Sequence, residues 1–217
     1  HEIWADCRPR AIQVVTSCVP ELIGESADLL AAMADVPVPM LSVRTSHYNS
    51  SGYYQGLTRY YSSFVPVMEK AKATNDVVLL GARYEGVERS ELYRFLLEAG
   101  KSPIVPSRFE DMKCVPDAAL IVVMDVTALD AAERVHERFG TPIVRLDRLC
   151  RPEEIRDAYR QIDAYIGTDL EERTHDLHDA VLQKIDAARQ LWKGKGFACA
   201  APFFLSLDAT LFFMDLG

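Results

Sequence analysis

No stretch of this sequence approaches the run of about 18 uncharged apolar residues that a helix needs to cross a bilayer, although hydrophobic residues make up 49% of it. With a mean hydropathy of -0.03, the apolar residues are interleaved with polar ones, which is the pattern of a soluble globular core. Basic residues are in short supply. Lysine and arginine number 24 against 32 aspartates and glutamates, for a formal charge of -8. Nucleic acid and anionic membrane surfaces both select for a concentrated basic face, and none is visible, so neither is expected as the main partner. Cysteine is sparse too. There are five, an odd number without regular spacing, which excludes a secreted disulfide framework and fits a reducing compartment, with the cytoplasm as the expected location. Low-complexity tracts are absent. So are a Walker phosphate loop, a G-x-G-x-x-G after a strand and an H-E-x-x-H, which leaves nucleotide binding and zinc hydrolysis without positive support. Gly194-Lys-Gly196 lacks the third glycine and the preceding strand.

What the sequence does contain is an alternation of short apolar runs with amphipathic stretches. The most informative segment is Ala11-Ile-Gln-Val-Val-Thr-Ser-Cys-Val-Pro-Glu-Leu-Ile-Gly24. Its β-branched run ends at Thr-Ser-Cys, and a helix is expected just beyond Pro20. Cys18 therefore falls where the carboxyl end of a strand meets a helix amino terminus, a place where α/β proteins put chemistry. Unpaired N-H groups and the positive end of the helix dipole lower a thiol's pKa there and favour an anionic ligand or a metal-bound thiolate. Local physics also allows a small buried cysteine under a loop, since free cysteine is among the most buried residue types.

Apolar spacing predicts an amphipathic helix over 21–36, ended by Pro37 and Pro39, then a strand over 40–43. Arg44-Thr-Ser-His-Tyr-Asn-Ser-Ser-Gly52 follows as a polar loop at the same carboxyl edge. His47 in that loop is the best-placed ionisable side chain for proton donation and the one catalytic candidate, with a backbone-bonded loop histidine as the alternative. A long helix bent by Pro66 is expected over 53–72, its aromatic stripe serving as core or subunit interface.

From Asp76 the pattern becomes regular: strand over 76–81, helix 90–99 stopped by Gly100, a short strand at 104–105, and a capping-box candidate at Ser107-Arg-Phe-Glu110. The continuous apolar run 118–124 reads as a buried parallel strand. Helix 127–139 ends at Gly140, a strand begins at Thr141, and helix 152–166 starts with proline in its first turn. A charged amphipathic helix over 169–192 reads as a spacer, with His175 and His178 on a solvated face; His136 is given no role. A short helix at 203–207 and a strand at 210–214 complete the pattern. The fold class this implies is α/β, with repeated Rossmann-like domains of parallel sheets flanked by helices. Three domains are expected: residues 1–74, which carry the Cys18 turn; residues 75–167; and residues 168–217, a linker helix and the start of a third unit. The opening at His1, without an initiator methionine or a signal-like arrangement, and the apolar run at the end read as those of a segment of something longer.

Thr16-Ser-Cys-Val-Pro-Glu-Leu-Ile-Gly-Glu25 resembles the T-x-C-x-x-E/G-x-I-G-D/E signature of the nitrogenase component 1 superfamily, which includes dinitrogenase subunits, their cofactor-assembly scaffold proteins and nitrogenase-like tetrapyrrole reductases. Leu97-Glu-Ala-Gly100, Ala118-Ala-Leu-Ile-Val-Val123, Glu137-Arg-Phe-Gly-Thr-Pro142 and the helix before Gly194-Lys-Gly-Phe-Ala198 are similar to further family segments, so the likeness spans nearly all of the chain. The resemblance implies that Cys18 is an iron-sulfur cluster ligand in the intact protein, near the interface with a homologous partner subunit. It implies electrons received from an ATP-dependent iron protein reductase and passed to a bound substrate. The family's other cluster cysteines lie upstream of this chain's first residue, so the chain alone is expected to bind no cluster and to be inactive. Met124 falls where dinitrogenase α subunits carry a cysteine that ligates the molybdenum-iron cofactor, and thioether is a poor substitute for thiolate there. That departure leaves a β-type subunit, a reductase of another substrate, or the alternative of a cofactor-assembly scaffold protein. A plain small-molecule binding module, with Cys18 merely packed, is the reading from a third class.

Overall fold

The computed structural model describes residues 2–45, 53–82, 86–147, 149–196 and 207–216, with the backbone alone described at Cys18, Glu21, Tyr53 and Leu207. The first part runs α1 (Glu2–Cys7), β1 (Ile12–Thr16), α2 (Cys18–Leu22), α3 (Ala27–Met33), β2 (Met40–Arg44) and α4 (Tyr53–Ser62). β1 and β2 form a two-stranded parallel sheet, paired from Ile12 with Met40 to Thr16 with Arg44. The single helix expected over 21–36 is two short ones. Gly24, at φ 84°, turns the chain in the left-handed region that favours glycine, and Ser26 then caps α3 by accepting from the Leu29 amide at 3.3 Å.

The helix expected over 53–72 also stops early. Ser62 ends α4, and Val65–Val67 makes a single 3-10 turn with Pro66 at its start. A ring without an N-H ends this helix rather than bending it.

The larger sheet is built by β3 (Asp76–Leu80), α5 (Glu91–Glu98), β4 (Ser102–Ile104), α6 (Phe109–Lys113), β5 (Leu120–Val123), α7 (Leu129–Phe139), β6 (Ile143–Arg145) and α8 (Pro152–Ile166). Its strands lie in the order β4-β3-β5-β6, all parallel. Both faces are covered, so past Asp76 at the start of β3 the central strands are apolar at every position. Val78, Leu80, Ile121 and Val123 face one core with α7, and Val77, Leu79, Leu120 and Val122 face another with α5 and α8. The first of these cores also takes in Leu41 of β2 and Tyr61, Phe64, Val65 and Met68 from α4 and the turn after it. Asp117 holds that turn's exit: its Oδ1 accepts from the amides of Ala71 at 2.8 Å and Lys72 at 3.0 Å. Pro103 sits in β4, an edge strand, where a missing ladder donor is tolerated.

Past Gly167, α9 (Leu170–Arg173) and α10 (His175–Trp192) take the place of the one helix expected over 169–192, and α11 (Leu207–Met214) closes the described residues. Residues 210–214, expected as a strand, are helical. A short apolar run has no periodicity to separate the two forms, and here the helix wins. The short helix expected at 203–207 lies almost wholly outside the described residues. No helix among the described residues is long and apolar enough to cross a membrane.

Candidate functional site

The turn after β1 is positioned by bonds across the small sheet. The Thr16 carbonyl accepts the Thr45 amide at 3.0 Å and the Thr45 hydroxyl at 2.7 Å, which locks the carboxyl ends of β1 and β2 side by side. Thr16 itself is buried and Ser17 is exposed. Cys18 is then the first residue of α2, after the carboxyl end of β1; the helix expected just beyond Pro20 opens ahead of that proline, at Cys18 itself. Only its backbone is described. His47 lies outside the described residues. Around this edge, Arg44 donates to Ser26 Oγ at 3.3 Å and pairs with Asp28, and Ser42 donates to the same carboxylate. The Ser42 bond, helped by the Arg44 guanidinium, holds the Asp28 carboxyl below the ordinary carboxylate range against the opposing effect of burial. Arg59 of α4 closes the group by donating to the Arg44 carbonyl at 2.8 Å.

Between the small sheet and the larger one is a cavity of about 390 Å³. Gln13 and Leu41 contribute from β1 and β2, Tyr60 and Phe64 from the α4 segment, and Ala82 and Arg108 from the carboxyl edge of the large sheet. Open α/β sheets bind ligands at that edge. The rings of Tyr60 and Phe64 meet edge to face, with centroids 5.2 Å apart at 80°. The aromatic stripe thus divides by burial: Tyr61 and Phe64 are core residues that also reach the cavity, whereas Tyr60 is 38% exposed. Gln13 Nε2 donates to Ser63 Oγ at 3.0 Å, so this wall is fixed as well.

Other polar residues sit differently from their sequence expectations. The capping group at α6 is Asp111, whose carboxylate accepts from the amides of Ser107 at 3.2 Å and Arg108 at 3.0 Å, in place of Glu110. His136 Nδ1 lies 2.9 Å from the Thr141 carbonyl, closing the exit of α7. His175 is on a solvated face, as expected, but His178 is not: its side chain is only 8% exposed, because α10 folds back against α8. His178 lies with Leu177 and Val181 beside the α8 residues Ile155 and Tyr159. Met124 follows β5 at its carboxyl end, half-buried against the core shared with α5 and α8. Cys7 and Cys114 are exposed free thiols.

A family model described as "Nitrogenase component 1 type Oxidoreductase" matches residues 1–217. A search of curated proteins gives no match. Among solved structures, one described as "Nitrogenase Cp1 at pH 5" superposes with a TM-score of 0.62 at 20% identity, over 90% of this chain and 42% of that one. A second, "Nitrogenase Cp1 at pH 6.5", gives 0.65 at 19% identity, over 94% and 44%. At such identities the likeness is one of fold, and the chain spans less than half the length of each of these structures.

Proposed function

Because the chain belongs to the nitrogenase component 1 type oxidoreductase family, we propose that it is a segment of a nitrogenase component 1-like oxidoreductase subunit, with Cys18 as a ligand of an iron-sulfur cluster. One observation carries this reading: in a chain matched by the family from end to end, Cys18 opens α2 directly after the carboxyl end of β1. Free amides and a helix start favour the thiolate form, which is the form that binds iron.

Among the described residues the cysteines are spread along the fold. Cys7 ends α1, ahead of β1, while Cys18 follows it; Cys114 and Cys150 belong to the segments around the large sheet. Among the described residues no three His, Cys, Asp or Glu side chains are grouped to hold a metal ion. In this proposal Cys18 supplies one thiolate and the other ligands come from outside these residues, including a homologous partner subunit. The whole protein would take electrons from an ATP-dependent iron protein and reduce a bound substrate, with the cavity between the two sheets as the place where substrate or cofactor is held. His47, three residues beyond the end of β2 in sequence, is proposed as a proton donor to the substrate. The division at residues 1–74, 75–167 and 168–217, and a cytoplasmic, heteromultimeric setting, belong to the same proposal.

Met124 favours a second reading. A thioether at the end of β5 removes an anionic anchor for a metal cofactor, which suits a scaffold that holds a cofactor precursor and releases it. Turnover with the iron protein separates the two: the reductase yields reduced product, and the scaffold yields only bound cofactor. The test of the Cys18 assignment is Cys18→Ala in the intact protein, read by iron content and the cluster's electron paramagnetic resonance signal. Loss of most of both is expected; unchanged iron and spectrum would overturn the assignment.

A further inference from the structure

Four aromatic residues, Tyr60, Tyr61, Phe64 and Phe109, line the cavity between the two sheets. Their rings form one connected group. Tyr60 meets Tyr61 edge to face with centroids 5.4 Å apart and Phe64 at 5.2 Å, and Phe64 lies 6.5 Å from Phe109 at 43°. Rings at such separations and tilts are arranged to take a further ring against an edge or a face.

The polar side chains on the lining are Gln13, Ser107 and Arg108. Gln13 gives its amide nitrogen to Ser63 Oγ at 3.0 Å, which leaves its carbonyl oxygen as an acceptor. Arg108 carries the only charge among the described lining residues. It is exposed, and the acids beside it are already engaged: Glu110 is bonded to Arg10 at 2.7 Å, and Asp111 accepts the amides of Ser107 and Arg108. A metal cofactor calls for thiolate, imidazole or carboxylate donors. The described lining has none of these, and its one sulfur, the thioether of Met112, belongs to a side chain buried in the core. These residues do not fit a metal cofactor. They fit a flat organic body with one negative group.

We propose that the cavity binds an aromatic acid of one or two rings, with the ring system against Tyr60, Phe64 and Phe109 and the anionic group toward Arg108. The volume of about 390 Å³ is the liquid volume of roughly thirteen waters, room for two fused rings and a carboxylate. The macrocycle of a tetrapyrrole has too many atoms for it. An inorganic oxyanion would suit Arg108 but leave four rings facing nothing. The inference rests on the reading that this cavity holds substrate or cofactor, and it selects an organic substrate.

The experiment is calorimetric titration of the intact protein with 2-naphthoate, its saturated counterpart decahydro-2-naphthoate, the neutral 2-naphthylmethanol and inorganic phosphate. 2-Naphthoate is expected to bind saturably and at least about threefold more tightly than the saturated acid, the margin that ring contacts provide. Arg108→Gln, at an exposed position that leaves the fold intact, should weaken 2-naphthoate about tenfold and 2-naphthylmethanol hardly at all. Arg108→Glu should abolish binding of the acid and spare the alcohol, and Phe109→Leu should remove the preference for the aromatic acid over the saturated one. Absence of saturable 2-naphthoate binding, tighter binding of phosphate, equal binding of the two acids by the parent, or indifference to the Arg108 substitutions would overturn the proposal. The cluster's paramagnetic resonance signal, recorded on the same samples, keeps the two readings apart. A protein with that signal and no saturable 2-naphthoate binding overturns this inference alone, whereas saturable, Arg108-dependent binding by an intact protein without iron upholds it and overturns the cluster assignment.

Discussion

At the scale of single residues, position and partners decide more than residue type. Asp117 has a carboxylate oxygen that accepts two backbone amides on the way into β3, and it is itself buried. Asp117→Ala would strand both donors, so a loss of about 1–3 kcal/mol is expected in urea unfolding; a change within error would mean water replaces the carboxylate. Gly81, at φ 85°, has no room for a side chain, because an added Cβ would lie 3.0 Å from those of Ala128 and Asp125. Asp28 gives a pH prediction with a definite sign. Its folded pKa is depressed, so its contribution is fully present above the unfolded carboxylate value of about 4. That contribution is lost as pH falls through the lower folded value. A carbon-detected titration should place the Asp28 midpoint below its ordinary 3.8, and Ser42→Ala should move it upward; a midpoint at or above 3.8 in the parent would refute the network. The strand end just before Cys18 was legible at this scale because the β-branched run stops at Thr-Ser-Cys. His178 was not. Its i, i+3 partner His175 and the surrounding acids suggest solvent, and only the return of α10 onto α8 buries the imidazole.

At the scale of elements, helices with chemical punctuation could be read to the residue. Pro152 and Gly167 bracket α8, and the structure places it over Pro152–Ile166 with Gly167 left-handed. Where punctuation lay inside an apolar pattern it was underweighted: Gly24 divides α2 from α3, and Pro66 ends the α4 segment. The run at 210–214 failed for the opposite reason, having apolar residues at every step and no period to read. Burial follows the same logic, since α8 supplies Ala158, Tyr159, Ile162 and Ile166 to one core of the large sheet. Ile162 is fully buried, so Ile162→Ala should cost about 2–5 kcal/mol, measured as a lower urea midpoint with an unchanged slope. A smaller loss would show that α5 and α8 close over the gap.

At the scale of the whole molecule, the parallel α/β plan was visible in the alternation of strand and helix patterns. The meeting of the two sheets was not, because the residues that join them are remote in sequence. Leu41 and Met68 share a core with Ile121 and Val135, and Arg10 reaches Glu110 at 2.7 Å. The same view shows apolar surface in quantity: Val19, Leu22 and Ile23 by the Cys18 turn are 64%, 61% and 70% exposed. Patches of that kind mark contact surfaces. Expressed alone, this chain should bind a hydrophobic dye strongly and self-associate as its concentration rises; a monodisperse monomer with little dye binding would contradict that. The central claim, that the Cys18 turn holds a cluster in the intact protein, is tested most directly by diffraction at the iron absorption edge. The account predicts an anomalous peak of several irons within bonding distance of Cys18 Sγ, and an intact protein with iron elsewhere and none at that sulfur would contradict it.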